Sequence, residues 1–517
     1  MTTEPRSARS GDLVAGSLAV LAVATLPLSA LAAPAYPGST VVYVGFSLAF
    51  AAMLASAALP RAAYAAVCAC TFLWLGAWAK MTTHLLFDYR AIFGQIFMEP
   101  TGRFDFSPAA WDDVLLTCTA GAVGMSIAVG GAYLLGRRNR PADSLPLFGP
   151  APTWYLRYRP LLWACLAVGV VTLVAANETL AVLKLGFRPA VLLPWPLSGF
   201  YPWLFYVGVA VVIAVVAGWE VRARQSLALP LITAATAAWA LAASMLSRSA
   251  FLFQAGPYLL VLLRERELRT SIRTRAQIGL VAAFAILFAA SLTAVTYSRY
   301  LVQERVPIYP GDLDRGGQRG ETPQAEQRPT IPPDEKRRPW AKLDLLWSVT
   351  RGFGMSMAVD RWPGLEGVMT VSAAPEKGWP TLRETLVARR TVDEVDPYTR
   401  MAGSPFSDRD TRRFQYATIP GPIAIWYTSG SRFAVFAGMI ALGLIVIAAE
   451  GLVTRVARNA FLQSVTGVYL AVMVTQMTPG LGQKVYSLLA LVGLCWGLQA
   501  VAYFRLSGNP DNSRNVA

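Results

Sequence analysis

The sequence predicts an all-α polytopic membrane protein of about 12 transmembrane helices, with one large extracytoplasmic loop containing short helices. Three observations lead there. Over 517 residues the chain is 55% hydrophobic and 15% charged, with a mean hydropathy of +0.43, values ordinary for a membrane bundle and odd for a soluble domain. Apolar runs of about 20 residues, the length that crosses a bilayer, recur along the chain. One polar stretch, residues 298–420, interrupts them.

Nine spans precede that stretch, near 12–33, 39–59, 62–79, 113–136, 160–176, 203–221, 226–246, 250–263 and 277–297; three follow, near 432–450, 460–477 and 485–504. Residues 1–297 thus carry helices 1–9, residues 298–420 the loop, and residues 421–517 helices 10–12 with a cytoplasmic tail. The first span has features of a signal peptide: Arg6 and Arg9, an apolar core, then Ala30-Leu31-Ala32. The run 250–263 is short and contains Gly256-Pro257, as a re-entrant helix would.

Basic residues set the orientation, because cytoplasmic connections collect Lys and Arg. With the N-terminus inside, inner segments hold Arg61, Arg137, Arg138, Arg140, Arg157, Arg159, Arg222, Arg224, Arg264, Arg266, Arg269, Arg455 and Arg458. Short outer segments hold fewer, among them Lys80, Arg90, Lys184, Arg188, Arg248 and Lys484. Both termini are then cytoplasmic and residues 298–420 extracytoplasmic, periplasmic if the cell is a Gram-negative bacterium. The net charge of +15 is absorbed by this topological pattern, which argues against nucleic acid as a partner. Cys68, Cys70, Cys118, Cys165 and Cys495 all sit in apolar runs. Cys68 and Cys70 share a span with no His or carboxylate at ligand spacing and read as small apolar residues, and with no cysteine in the polar stretch no loop disulfide is expected.

Within the loop, residues 311–338 are rich in Gly, Pro, Gln and charge and read as a flexible segment. Residues 340–390 read as short helices that lie on or over the membrane surface and pack on the bundle. Leu343, Leu346, Trp347 and Phe353 fall near helical spacing. A second helix starts at Pro363, with Asp360 as a candidate cap and Glu366 in its first turn. A third runs over 380–390. A further outer element, residues 80–111, holds the single histidine, His84, with Asp88 one turn on.

The stretch TRGFGMSMAVDRWPGLEGVMTVSAAPEKGW, followed by ATIPGPIAIWYTSGSRFAVFAG, resembles the large periplasmic loop and next helix of Wzy-type oligosaccharide repeat-unit polymerases, the O-antigen and exopolysaccharide polymerases. The layout of spans and late outer loop is similar too. The resemblance implies a metal-independent membrane glycosyltransferase without cofactor. It would act on undecaprenyl-pyrophosphate-linked glycan among membrane lipids, with a chain-length regulator protein as a further partner. Alternatives are an O-antigen ligase, a glycosyltransferase using polyprenyl-phosphate sugars, and a lipid-linked sugar transporter. A ligase of the related kind is expected to use an outer-loop His, and His84 lies far upstream of the large loop.

Such a substrate makes definite demands. Arg forks bind phosphate oxygens in pairs, fixed cations stabilise charge growing on the leaving group, and a carboxylate or His takes the proton of the attacking hydroxyl. The pyrophosphate candidates are Arg248, Arg361, Arg351 and Arg432, with Lys377 and Arg299 behind them. Arg248 lies between two apolar runs, where a charge is costly; snorkelling to headgroups competes as an explanation. Arg361 can equally pair with Asp360 or Glu366, and Arg432 can anchor a membrane boundary. The catalytic candidates are Glu366, Asp360 and His84. The pair Asp112-Asp113 is a further one, although its place at a helix start is also explained by capping.

Overall fold

An apolar chain in lipid must satisfy its own backbone polar groups, and a helix does so within one segment. The computed structural model describes residues 12–60, 62–87, 101, 103–138, 147–149, 151–185, 187, 189–194, 196–224, 226–247, 249–270, 274–305, 362–388, 396–402 and 419–507. Their regular elements are all helical, with one isolated bridge between Phe148 and Asn459. The expected flexible segment 311–338 and the first loop helix lie outside the described residues.

Helix α1 is Leu13–Ala32 and α2 is Thr40–Ala57. Helix α3 runs Tyr64–Trp74, widens through a π turn at Leu75–Ala79 and continues as Lys80–Phe87. Next come α4 (Pro108–Arg138) and α5 (Tyr155–Leu180). Helix α6 runs Leu197–Trp203, then a π turn at Leu204–Gly208, then Val209–Arg224. Then follow α7 (Ala228–Ser244), α8 (Ala250–Arg264), α9 (Arg266–Thr270) and α10 (Thr274–Arg305). Short helices α11 (Leu365–Ala373), α12 (Trp379–Val387), α13 (Pro397–Ala402) and α14 (Pro422–Tyr427) lead to α15 (Arg432–Val456), α16 (Ala460–Thr475) and α17 (Leu481–Ser507).

Each of the expected spans coincides with one of these helices. Among the described residues, eight spans are long and apolar enough to cross a membrane, carried by α1 to α6, α10 and α15; shorter apolar stretches occupy α7, α8, α16 and α17. The fold is therefore all-helical and of the polytopic membrane type. Helix α10 continues as helix to Arg305, past the expected boundary at 297.

The helices alternate in direction, and contacts between connections gather them at two ends. At one end Arg264 meets Asp12, the Glu450 carboxylate accepts from the Tyr64 and Ala65 amides at 2.8 and 2.6 Å, and Gly149 donates to Arg458. At the other, Asp112 accepts from the Ser39 amide and the Tyr36 hydroxyl, both at 2.9 Å, and Leu185 donates to Met245. Small residues let the central helices approach closely. Gly124 of α4 faces the backbone of Phe436, and Gly438 of α15 faces the Trp426 indole, with no room for a side chain at either glycine.

Helix α1 is tied into this bundle. Asp12 caps it by accepting from the Val14 and Ala15 amides at 3.0 Å. Its Leu18, Ala22, Thr25, Ser29 and Ala32 form one buried face at helical spacing. The indoles of Trp74 and Trp78, stacked 4.9 Å apart, donate to Thr25 and Ser29.

Helix α11 packs on the bundle as expected: it lies against α4, α13 and α14 and is bonded to Lys80 of α3, with Leu365 through Val371 buried. The preceding Trp362 stacks on Phe72 of α3 at 4.9 Å, and the Pro363 carbonyl fits against Gly76 inside the π turn. At about 1.5 Å per residue, Phe72 lies roughly 20 Å along α3 from its Phe87 end. Helix α14 returns beside it: the Pro420 carbonyl occupies the space a side chain on Gly367 would need, and Gly421, at φ 80°, brings its chain next to Gly364. Irregular backbone at such depth is tolerated where protein surrounds it.

Candidate functional site

The Asp113 end holds a cluster built from four separate pieces of chain. Asp113 lies in the first turns of α4. Arg432 is the first residue of α15, whose start Ser431 fixes by accepting from the Ala434 amide at 3.3 Å. Tyr427 ends α14, which Gly421 and Pro422 begin, the proline at a position that needs no amide hydrogen. Ser372 and Lys377 come from the end of α11 and the turn after it.

Asp113 is the hub. Arg432 Nη2 bonds Asp113 Oδ1 at 2.6 Å, the Tyr427 hydroxyl lies 2.9 Å from both carboxylate oxygens, and the Ser372 hydroxyl donates to Oδ2. Lys377 Nζ donates to the Ser372 carbonyl and sits over the Tyr427 ring, 5.3 Å from its centre. The Gly378 amide, donating to the Thr428 carbonyl at 2.8 Å, and Gly430, at φ 73° against the Lys377 side chain, hold these two segments together. Two cations and one carboxylate leave a net positive cluster that is open to solvent: the Arg432 side chain is 44% exposed and that of Asp113 28%.

Burial pushes the Lys377 ammonium below its ordinary value and Arg432 adds to the shift, while Asp113 opposes it. Burial, then the Asp113 charge, pushes the Tyr427 phenol up, so it stays a donor. The Lys377 shift has a consequence with a definite sign. Anion binding by this lysine is present below its lowered value and is lost as pH rises through it, before an ordinary lysine would discharge. In a titration of inorganic pyrophosphate binding, the alkaline fall should move to higher pH in Lys377→Arg.

Glu366 is elsewhere. It is buried in α11 and bonded to Lys80 Nζ at 2.6 Å, the two side chains being 3% and 1% exposed. Its carboxylate therefore reaches a lysine of α3 inside the bundle, about 9 Å along α11 from Ser372 at 1.5 Å per residue. His84 is half-buried in the last turn of α3; the side chains bonded to the Asp113 carboxylate among the described residues are Ser372, Tyr427 and Arg432. Arg248, Arg351, Asp360 and Arg361 lie outside the described residues. Of the sequence candidates the structure thus brings together Arg432, Lys377 and Asp113.

Tyr427 and Ser372 were not legible as site residues. Tyr427 reads as one aromatic among many near a membrane boundary, and Ser372 as one small polar residue in an apolar helix. No family model, curated protein or solved structure matches this chain in comparison with known proteins.

Proposed function

We propose that the chain is a polysaccharide polymerase of the bacterial inner membrane. It would join undecaprenyl-pyrophosphate-linked oligosaccharide repeat units at the outer face, the Asp113 end of the bundle, with both termini cytoplasmic and about 12 crossings. The observation that carries this reading is the pair of cations around Asp113, Arg432 exposed and Lys377 half-buried, at one end of an apolar bundle. A lipid pyrophosphate needs that combination: an apolar surface for its tail and fixed cations at the height of its phosphates.

In this reading the pyrophosphate draws Arg432 from Asp113, exchanging one carboxylate for several phosphate oxygens. The freed Asp113 carboxylate then accepts the proton of an acceptor sugar hydroxyl. That oxygen attacks the anomeric carbon of the donor glycan, the bond from that carbon to the phosphate oxygen breaks, and its electron pair leaves with undecaprenyl pyrophosphate. Arg432 and Lys377 stabilise the charge that grows there. Tyr427 and Ser372 keep Asp113 aimed throughout. Arg248, Arg351 and Arg361 remain candidate phosphate ligands, and Asp360 and His84 candidate bases. Glu366 anchors α11 through Lys80.

A deletion strain separates the readings. A polymerase leaves single lipid-linked repeat units and no long-chain ladder when removed. Long glycan accumulating on its lipid carrier would favour a ligase, and an unchanged ladder would defeat both.

A further inference from the structure

We infer that the outward groove on α12 is a saccharide subsite that holds the glycan chain, an inference that rests on the polymerase reading. Helix α12 buries Leu382 and Thr385 and turns Trp379, Arg383 and Val387 outward at i, i+4 and i+8. Trp379 is 63% exposed, although an indole of that size normally finds cover. With Pro380 and Glu384, these residues line a shallow, open depression along one face of α12.

The groove sits on a fixed element beside the cation cluster. Gly378, immediately before Trp379, donates to the Thr428 carbonyl, and Gly480 donates to the Thr385 carbonyl at 2.9 Å. Lys377 is two residues away. A glycan whose pyrophosphate end is held by Arg432 and Lys377 therefore has this groove as a neighbouring surface. Its chemistry suits a sugar: an indole face for the C–H side of a pyranose ring, and on the next turn a guanidinium and a carboxylate for ring hydroxyls. Glu384 also meets Arg400, which steadies it.

The test uses the deletion strain complemented with wild type, Trp379→Ala or Trp379→Phe, and the same full-length proteins in phosphatidylethanolamine/phosphatidylglycerol nanodiscs. The probe is radiolabelled oligosaccharide released by mild acid from the strain's own surface glycan. Losing one stacking face should weaken binding roughly 10-fold and shorten the modal chain length of the ladder, while Trp379→Phe keeps both. Unchanged binding and unchanged chain length in Trp379→Ala, with the ladder absent from the bare deletion, would overturn the groove alone. A change confined to co-purified phospholipid would also overturn it in favour of a lipid contact. A normal ladder in the bare deletion would instead defeat the polymerase reading itself.

Discussion

Replacing Arg432 with Ala is expected to lower polymerisation by roughly 10²–10³-fold, the usual cost of removing one fixed donor from a developing negative charge. The loss should appear in both substrate affinity and turnover, because this guanidinium holds the pyrophosphate before and during bond cleavage. Lys at the same position should recover only part of it, since an ammonium cannot reproduce the planar fork. Asp113→Asn should behave differently. The amide keeps the shape of the hub and accepts from Tyr427 and Ser372, but takes no proton, so lipid binding should survive while turnover falls. Steady-state kinetics on both variants check the split. Equal activity of Asp113→Asn and wild type would remove Asp113 from the chemistry.

The second large effect concerns stability. Lys80 and Glu366 form an ion pair excluded from solvent, and breaking such a pair by removing one partner costs about 3–5 kcal/mol. Glu366→Leu should therefore lower the unfolding temperature in detergent strongly, and so should Lys80→Met. The double variant should recover part of the loss, because neither member of the pair is then left as a buried charge without the other. Activity of the double variant is the informative readout. If the pair only seats α11, polymerisation should follow recovered stability; if Glu366 were the base, activity would stay lost in a stable protein.

Much of the fold was legible because membrane spans announce themselves by length and apolarity: among the described residues, eight of the expected spans coincide with helices long and apolar enough to cross, and the other four with shorter apolar stretches. The interior of the loop was less so. Residues 363–373 contain a proline, two glycines and a carboxylate, a mixed composition that reads as a helix at the membrane surface packed on the bundle. What places α11 inside is tertiary. Gly76 and Gly367 leave gaps that the backbone of Pro363 and Pro420 fill, and Lys80, itself within an apolar run, supplies the counter-charge for Glu366. The π turn at Leu75–Ala79 that admits Pro363 has no sequence signature of its own.

The site was half legible for a similar reason. Arg432 could be named from its place at a helix start beside Gly430 and Ser431. Asp113 looked equally like a capping residue, and only the fold brings it to Arg432 across 319 residues of sequence. Periodicity reports which face of a helix is apolar, not which distant polar residue meets it.

The most direct measurement is reconstitution. Purified wild-type protein in proteoliposomes would be given undecaprenyl-pyrophosphate-linked repeat units from the deletion strain, without nucleotide sugar or divalent metal. The expected result is a ladder of lipid-linked products with release of undecaprenyl pyrophosphate, formed roughly 10²–10³-fold more slowly by Arg432→Ala. Intact single repeat units at the end of the incubation, with the protein folded and the lipid bound, would contradict it.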